Sequence, residues 1–330
     1  MSLLASIDIT ARKRVAEQIV KSMRQQAEGG SLDPSTPPWT AELVHAAGVL
    51  QMEAALDLLE TRRRNIAPTI VSRVEVGQIL LDEAGHLAKE PTVAPRWCWA
   101  IAQQAIMDGA FAVAEAVLTQ AIQRYNRQPA LLLAWGILHE AYSGLNVDAE
   151  ALVRLIPNQP NLQDDRANSL LMTFRSTRKQ HLGTARDAFE DARRIEPDNG
   201  EASLRLGHVR LEQGEQGDAA RILEPLIARD NDTRLMYLSR LFLGRVRERQ
   251  NRLPEALALF RDAASVMPAQ SARLAVAHRL MGAGSNADAR TLVEATTSER
   301  DLEDPWWSYR LGQYWLVEPT LQALRARARR

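Results

Sequence analysis

The sequence predicts an all-α protein, an α-solenoid of tandem helix-turn-helix units, on three observations. Aromatic residues are scarce, 7 Trp, 5 Tyr and 5 Phe in 330 residues, too few for a β-rich chain whose strands favour aromatic and β-branched side chains. From Ala94 to Asp304 short segments carry apolar residues three and four apart, separated by Gly, Asn, Asp or Pro, and no stretch alternates with a period of two. Those segments then repeat. Units beginning at Arg166, Gly200 and Tyr237 are spaced by 34 and 37 residues, a helical-repeat period.

In chain order, residues 1–27 form a separate amphipathic helix. Its Ile7, Ala11, Val15, Ile19 and Met23 recur at steps of four, with Arg12, Lys13, Arg14, Lys21 and Arg24 among the polar positions. Such a basic helix can dock on its own chain, on a partner or on an anionic membrane surface, and the residues leave all three open. Residues 28–39 contain EGGSLDPSTPP, which cannot continue a helix and read as a linker. Residues 40–94 hold two further helical stretches, Thr40 to Arg64 and Pro68 to Lys89, expected to be degenerate repeats or an N-terminal cap.

The array spans 95–304. Its clearest unit, Tyr237 to Gln270, has Gly244 in a first helix, Ala256, Phe260 and Ala263 in a second, and Pro268 at its close. Gly200 to Met236 offers Gly207, Ala219 and Leu223. Arg166 to Asn199 offers Ala185, Phe189, Ala192 and Pro197, with Thr173 in place of glycine. Weaker copies are Pro95 to Gln128 (Ala102, Ala114, Leu118, Ala121), Pro129 to Asp165 (Gly136, Leu152, Pro160) and Ser271 to Asp304 (Leu292, Ala295). These residues resemble the tetratricopeptide repeat. In that family small residues let paired helices approach and seat the turn, a large apolar residue fills the core between repeats, and proline ends the unit.

The resemblance implies a right-handed α-solenoid whose first helices line a concave groove. Carried over by register, the groove residues are Trp99, Gln103, Leu133, Ile137, Leu170, Phe174, Arg178, Leu204, His208, Leu241, Arg245, Glu248 and Arg249. The lysine and asparagine with which some members clamp a C-terminal carboxylate are replaced by Leu204, His208, Leu241 and Arg245. The expected ligand is therefore a peptide or helix of another protein, acidic ones included, held by apolar anchors and arginine forks.

Residues 305–330 crowd Trp306, Trp307, Tyr309, Tyr314 and Trp315 together and end in Arg325, Arg327, Arg329 and Arg330. This is expected to be a capping helix that covers the last apolar face, with a solvated arginine tail that complements the helix dipole. The alternative is a second binding surface, since Trp and Tyr concentrate in interface hot spots. Self-association through these aromatics or the N-terminal helix, giving a homo-oligomer, is the competing function.

With 41 basic and 41 acidic residues the net charge is zero, which argues against a nucleic-acid partner. Lysine is rare, Lys13, Lys21, Lys89 and Lys179 alone, as GC-rich bacterial coding would give. No run approaches the roughly 20 apolar residues of a membrane span, and Met1 to Arg14 lacks a signal-peptide core, so a cytoplasmic location is expected. The single Cys98 fits a reducing compartment.

No cofactor, metal or catalytic machinery is expected. Gly282, Gly284 and Ala287 satisfy a GxGxxA string but follow a helical pattern rather than a strand. His139 and Glu140 begin an HExxH string in which Ser143 stands where the second histidine belongs. The six histidines, His45, His86, His139, His181, His208 and His278, are dispersed.

Overall fold

The computed structural model describes residues 9–27, 40–61, 67–125, 128–155, 164–228, 232–298 and 304–328, all helical apart from turns and caps. The chain is an all-α solenoid of helices packed in adjacent pairs, and it divides into two compact units. The first comprises residues 1–134 and 312–330, the second residues 135–311. The linker expected at 28–39 lies outside the described residues. Among the described residues no helix is long and apolar enough to cross a membrane.

In the first unit α1 (Ile9–Ala27) folds back on its own chain. Ala16 is fully buried among Val76, Leu80 and Ala84 with Ile19 beside it, and Lys13 Nζ meets Glu75 Oε1 at 2.5 Å. Ile7 and the side chains of Ala11, Arg12, Met23 and Arg24 lie outside the described set. Thr40 caps α2 (Ala41–Glu60) by accepting from Leu43 N. It pairs with α3 (Ala67–Ala88) through reciprocal small residues: a Cβ on Gly48 would stand 2.8 Å from Leu81, and one on Gly77 would stand 2.9 Å from Met52. Next, α4 (Ala94–Met107) and α5 (Phe111–Arg124) form a hairpin closed by Gly109 at φ 72°. Only glycine or asparagine enters that region readily. Cys98 is buried here and accepts from Gln78 Nε2 at 2.9 Å, and burial pushes its thiol up to about 12.

In the second unit three hairpins follow the expected register. Gly214 (φ 83°) joins α8 (Gly200–Glu212) to α9 (Gln216–Leu223), Asn251 (φ 58°) joins α10 (Thr233–Arg249) to α11 (Leu253–Val266), and Gly284 (φ 84°) joins α12 (Gln270–Gly282) to α13 (Asn286–Ser298). The GxGxxA string is thus a helix-helix turn. Asn199 and Asp232 cap α8 and α10 by accepting from Ala202 N and Leu235 N. Gly207 receives Leu223 and Gly244 receives Phe260, with hypothetical Cβ contacts of 2.6 and 2.4 Å.

The register fails in the middle of the array. Residues 129–165 and 166–199, each expected to be a hairpin, contain single long helices, α6 (Pro129–Leu155) and α7 (Asp164–Ile195). Phe189 packs not on Thr173 of its own segment but on Gly136 of α6, where an added Cβ would stand 2.3 Å from the ring. His139 and Tyr142 of α6 also meet His181 of α7. The start of α6 and the end of α7 therefore make one repeat, and residues 143–178 are inserted into it. Gly109, Gly214 and Asn251 occupy the same turn position of their units, and Gly284 turns the last unit one residue earlier; Ser143 and Gln180 stand at that position in the two segments that continue as helix.

The C-terminal helix is not the expected cap over the last repeat. Leu274 and Met281 of α12 stay exposed, while α14 (Pro305–Arg310) packs on α10 in the second unit and α15 (Val317–Ala328) packs on α4 and α2 in the first. Nor is the arginine tail simply solvated. Arg325 forms a bidentate pair with Glu53 at 2.7 and 2.8 Å, and Arg327 pairs with Glu90. Arg329 and Arg330 lie outside the described residues.

Candidate interaction site

Four of the expected groove residues of the second unit, Leu204, His208, Leu241 and Arg245, are brought together and covered. Leu204 and Leu241 are fully buried in one cluster with Tyr309, against which Trp306 packs. His208 is buried against Phe242, Trp306 and Tyr309, with ring centroids 4.5, 5.6 and 5.4 Å away. Arg245 lies over the Trp306 ring at 4.8 Å, a cation–π contact strengthened by removal from water. Burial draws its guanidinium below the ordinary value against the opposing pull of Glu212 and Glu248. The chain's own segment 304–310 thus lies on the face built by α8 and α10.

The remaining groove arginines are engaged between repeats. Arg178 Nη2 meets Glu212 Oε2 at 2.5 Å, Arg249 approaches the same carboxylate at 3.6 Å, and Glu248 holds Arg279 at 2.8 Å. Ile137 is buried in α6. Leu170 and Phe174 fall on the inserted half of α7 rather than on a groove-lining helix, and their side chains lie outside the described set. In the first unit Trp99, Gln103 and Leu133 are buried, and Gln103 Oε1 accepts from Gln313 N at 3.1 Å. Tyr314 is exposed there and Trp315 half-buried.

Beside His208, segment 304–310 is held by Glu140, Arg205 and Glu201, residues that the repeat register did not single out. Tyr309 donates its hydroxyl to Glu140 Oε1 at 2.6 Å, and the same oxygen meets His208 Nδ1 at 2.8 Å. Arg205, 1% exposed, donates to Glu140 Oε2 at 2.8 Å, to Glu201 Oε1 at 2.7 Å and to the Tyr309 carbonyl at 3.0 Å, and stacks over the Tyr309 ring at 4.1 Å. Glu201 also receives Arg234 at 2.7 Å. Burial alone would raise the Glu140 carboxyl, but the His208 hydrogen bond and the Arg205 charge outweigh it and hold the group below its ordinary value. Burial, followed by the Glu140 charge, pushes the Tyr309 phenol far up, so it stays a neutral donor. The one sequence signal for Glu140 was its place on the apolar face of LLLAWGILHEAY, where a carboxylate needs a buried partner.

Beside this network His139 Nδ1 and His181 Nδ1 are 2.8 Å apart, with Trp135 and Tyr142 against the rings. Burial, with help from His181, lowers His139 to about 4. Its folded value is below the unfolded one of about 6.5. The stability it lends is therefore complete above pH 6.5 and lost as pH falls toward 4, with a slope of at most about 1.4 kcal/mol per pH unit. Thermal melts at pH 7, 6 and 5 should show this fall in the wild type and a flatter profile in His139→Gln. Identical profiles would remove His139 as the source.

Residues 178–241 match the tetratricopeptide repeat family model. Among solved structures, the chain is similar to a thermophilic tetratricopeptide-repeat protein of Thermus thermophilus, with 19% identity, TM-score 0.40, and coverage of 71% of this chain and 99% of that one. It is also similar to the MamA RS-1 ArsTM double mutant, with 17% identity, TM-score 0.44, and coverage of 63% and 97%. A third is a tetratricopeptide-repeat protein of Parabacteroides merdae, with 11% identity, TM-score 0.35, and coverage of 84% and 99%. No curated protein matches. Helical-repeat stacks of this kind serve generally as protein–protein interaction scaffolds, presenting extended surfaces to partners. Residues 178–241 therefore carry the tetratricopeptide repeat, and the helix pairs on either side of and within that stretch set glycine against a large apolar side chain, Gly136 against Phe189, Gly207 against Leu223 and Gly244 against Phe260.

Proposed function

We propose that this chain is a non-catalytic scaffold that binds a segment of another protein on the face formed by α8 and α10. The observation that carries the reading is the peptide-like segment 304–310 lying across Leu204, His208, Leu241 and Arg245, residues that the repeat register assigns to ligand contact. A face that accepts a one-turn helix through stacked rings, a cation–π contact and hydrogen bonds has the chemistry of helix-in-groove recognition. No nucleic-acid role is proposed, given the zero net charge.

The test is a photo-crosslinking amino acid at the exposed position 249, used in native cells with and without Arg245→Glu. Adducts with another protein that disappear in Arg245→Glu are expected. Adducts unchanged by that substitution would overturn the reading. Adducts only between copies of this chain would replace it with self-assembly, for which Trp307 at 58% exposure and Leu311 at 45% offer apolar contact.

A further inference from the structure

Resting on that reading, we infer that residues 304–310 are a built-in occupant of the site, and that the partner segment it excludes has the same chemistry: an aspartate-proline helix start, an aromatic residue next and a tyrosine three residues later. Each feature is read by the chain. Asp304 Oδ1 caps its own helix by accepting from Trp306 N at 2.9 Å and also accepts from Tyr237 OH at 3.3 Å. Its Oδ2 accepts from Ser271 N at 2.6 Å. Pro305 is buried at the first helical position, where its fixed φ suits the turn and its missing N–H costs nothing.

Trp306 and Tyr309, three apart, share one helix face and stack with centroids 5.7 Å apart. Trp306 takes the Arg245 guanidinium and the Phe242 edge, while Tyr309 takes Arg205, His208 and Glu140. Trp307 between them is 58% exposed and Arg310 after them is exposed as well, while the half-buried Ser308 donates its hydroxyl to the Pro305 carbonyl of the same segment at 3.0 Å. The site reads Asp-Pro-Trp-x-x-Tyr and tolerates the two middle positions.

The occupant is replaceable. A six-residue helix is far too short to be stable alone, so the site holds it in shape. The chain leaves α14 through Leu311, exposed, and Gly312, whose φ of 75° a side chain would resist. A tethered segment acts at a high effective concentration. A free ligand therefore meets an apparent affinity reduced by the small fraction of open sites, and a partner must present the same motif with further contacts or act when the segment is released.

The test uses the full chain and a fluorescein-labelled heptapeptide with the sequence of residues 304–310. A Trp306→Ala, Tyr309→Ala variant should bind the peptide at least about ten-fold more tightly than the wild type, because its sites are open. Adding Arg245→Glu to that variant should abolish binding. A peptide carrying Trp307→Ala should bind like the parent, and one carrying Trp306→Ala should not. If the double variant loses its helical signal, Trp306→Leu, which keeps apolar cover and loses the arginine stack, takes its place. A folded open variant that binds the peptide no better than the wild type overturns the inference, and if Arg245→Glu still removes the crosslinked partner, the functional reading stands without it. Peptide binding with crosslinks indifferent to Arg245→Glu overturns the reading and the partner half of the inference together.

Discussion

Arg205→Met destabilises the second unit by about 3–5 kcal/mol, since removing one member of a buried ion network leaves its counter-charges uncompensated. Arg205 sits at 1% exposure between Glu140 and Glu201, and its loss leaves Glu140 with His208 and Tyr309, and Glu201 with Arg234. Such a loss is a large fraction of the stability of a typical domain. Because stability in a repeat stack is a sum of neighbour terms, the damage should be local: amide exchange accelerates in α8 and α10 and in segment 304–310, while α2 and α3 keep their protection. Pairing Arg205→Met with Glu140→Gln should cost less than the sum of the two single losses, because the carboxylate left without its cation is then neutral. Urea melts showing a loss under about 1 kcal/mol for Arg205→Met would mean that the network carries no more than a surface pair does.

The second large effect tests the inserted repeat. Gly136→Ala places a Cβ 2.3 Å from Cε1 and 2.6 Å from Cδ1 of the fully buried Phe189 ring, an overpacking that costs about 1–3 kcal/mol. Phe189→Leu in the same chain should recover part of that loss. Phe189→Ala alone should cost about 3–5 kcal/mol through the cavity it leaves. Were residues 166–199 a self-contained hairpin with Phe189 on Thr173, Gly136→Ala would instead stabilise α6 slightly, since alanine is the better helix former. The sign of that single change therefore decides between the two pairings, and a double-mutant cycle measured by chemical denaturation gives the coupling.

Much of this was legible in the residues and some was misread. Gly207, Gly244, Leu223 and Phe260 were placed correctly because a close approach of two helices needs a residue without a side chain opposite a large one. The same rule, applied only within each period, assigned Phe189 to Thr173. The turns differ as well: Gly109, Gly214 and Asn251 adopt positive φ, where Ser143 and Gln180 stand in the two segments that run on as helix. The crowding of Trp306, Trp307, Tyr309, Tyr314 and Trp315 was legible as unusual. Its destination was not, because nothing local in those residues distinguishes a cap on α12 and α13 from an occupant of α8 and α10.

The sequence by itself determined the all-helical class, the period and the turns at Gly109, Gly214, Asn251 and Gly284, because these follow from side-chain periodicity and backbone preference over a few neighbouring residues. Only the tertiary structure decided that α6 and α7 share one repeat across an insertion, that Glu140 and Arg205 meet over 65 positions of separation, and that segment 304–310 packs on the face of α8 and α10. These are contacts between distant residues. Their energy comes from burial, charge pairing and ring stacking that exist only once the helices are in place, so no local pattern in the chain encodes them.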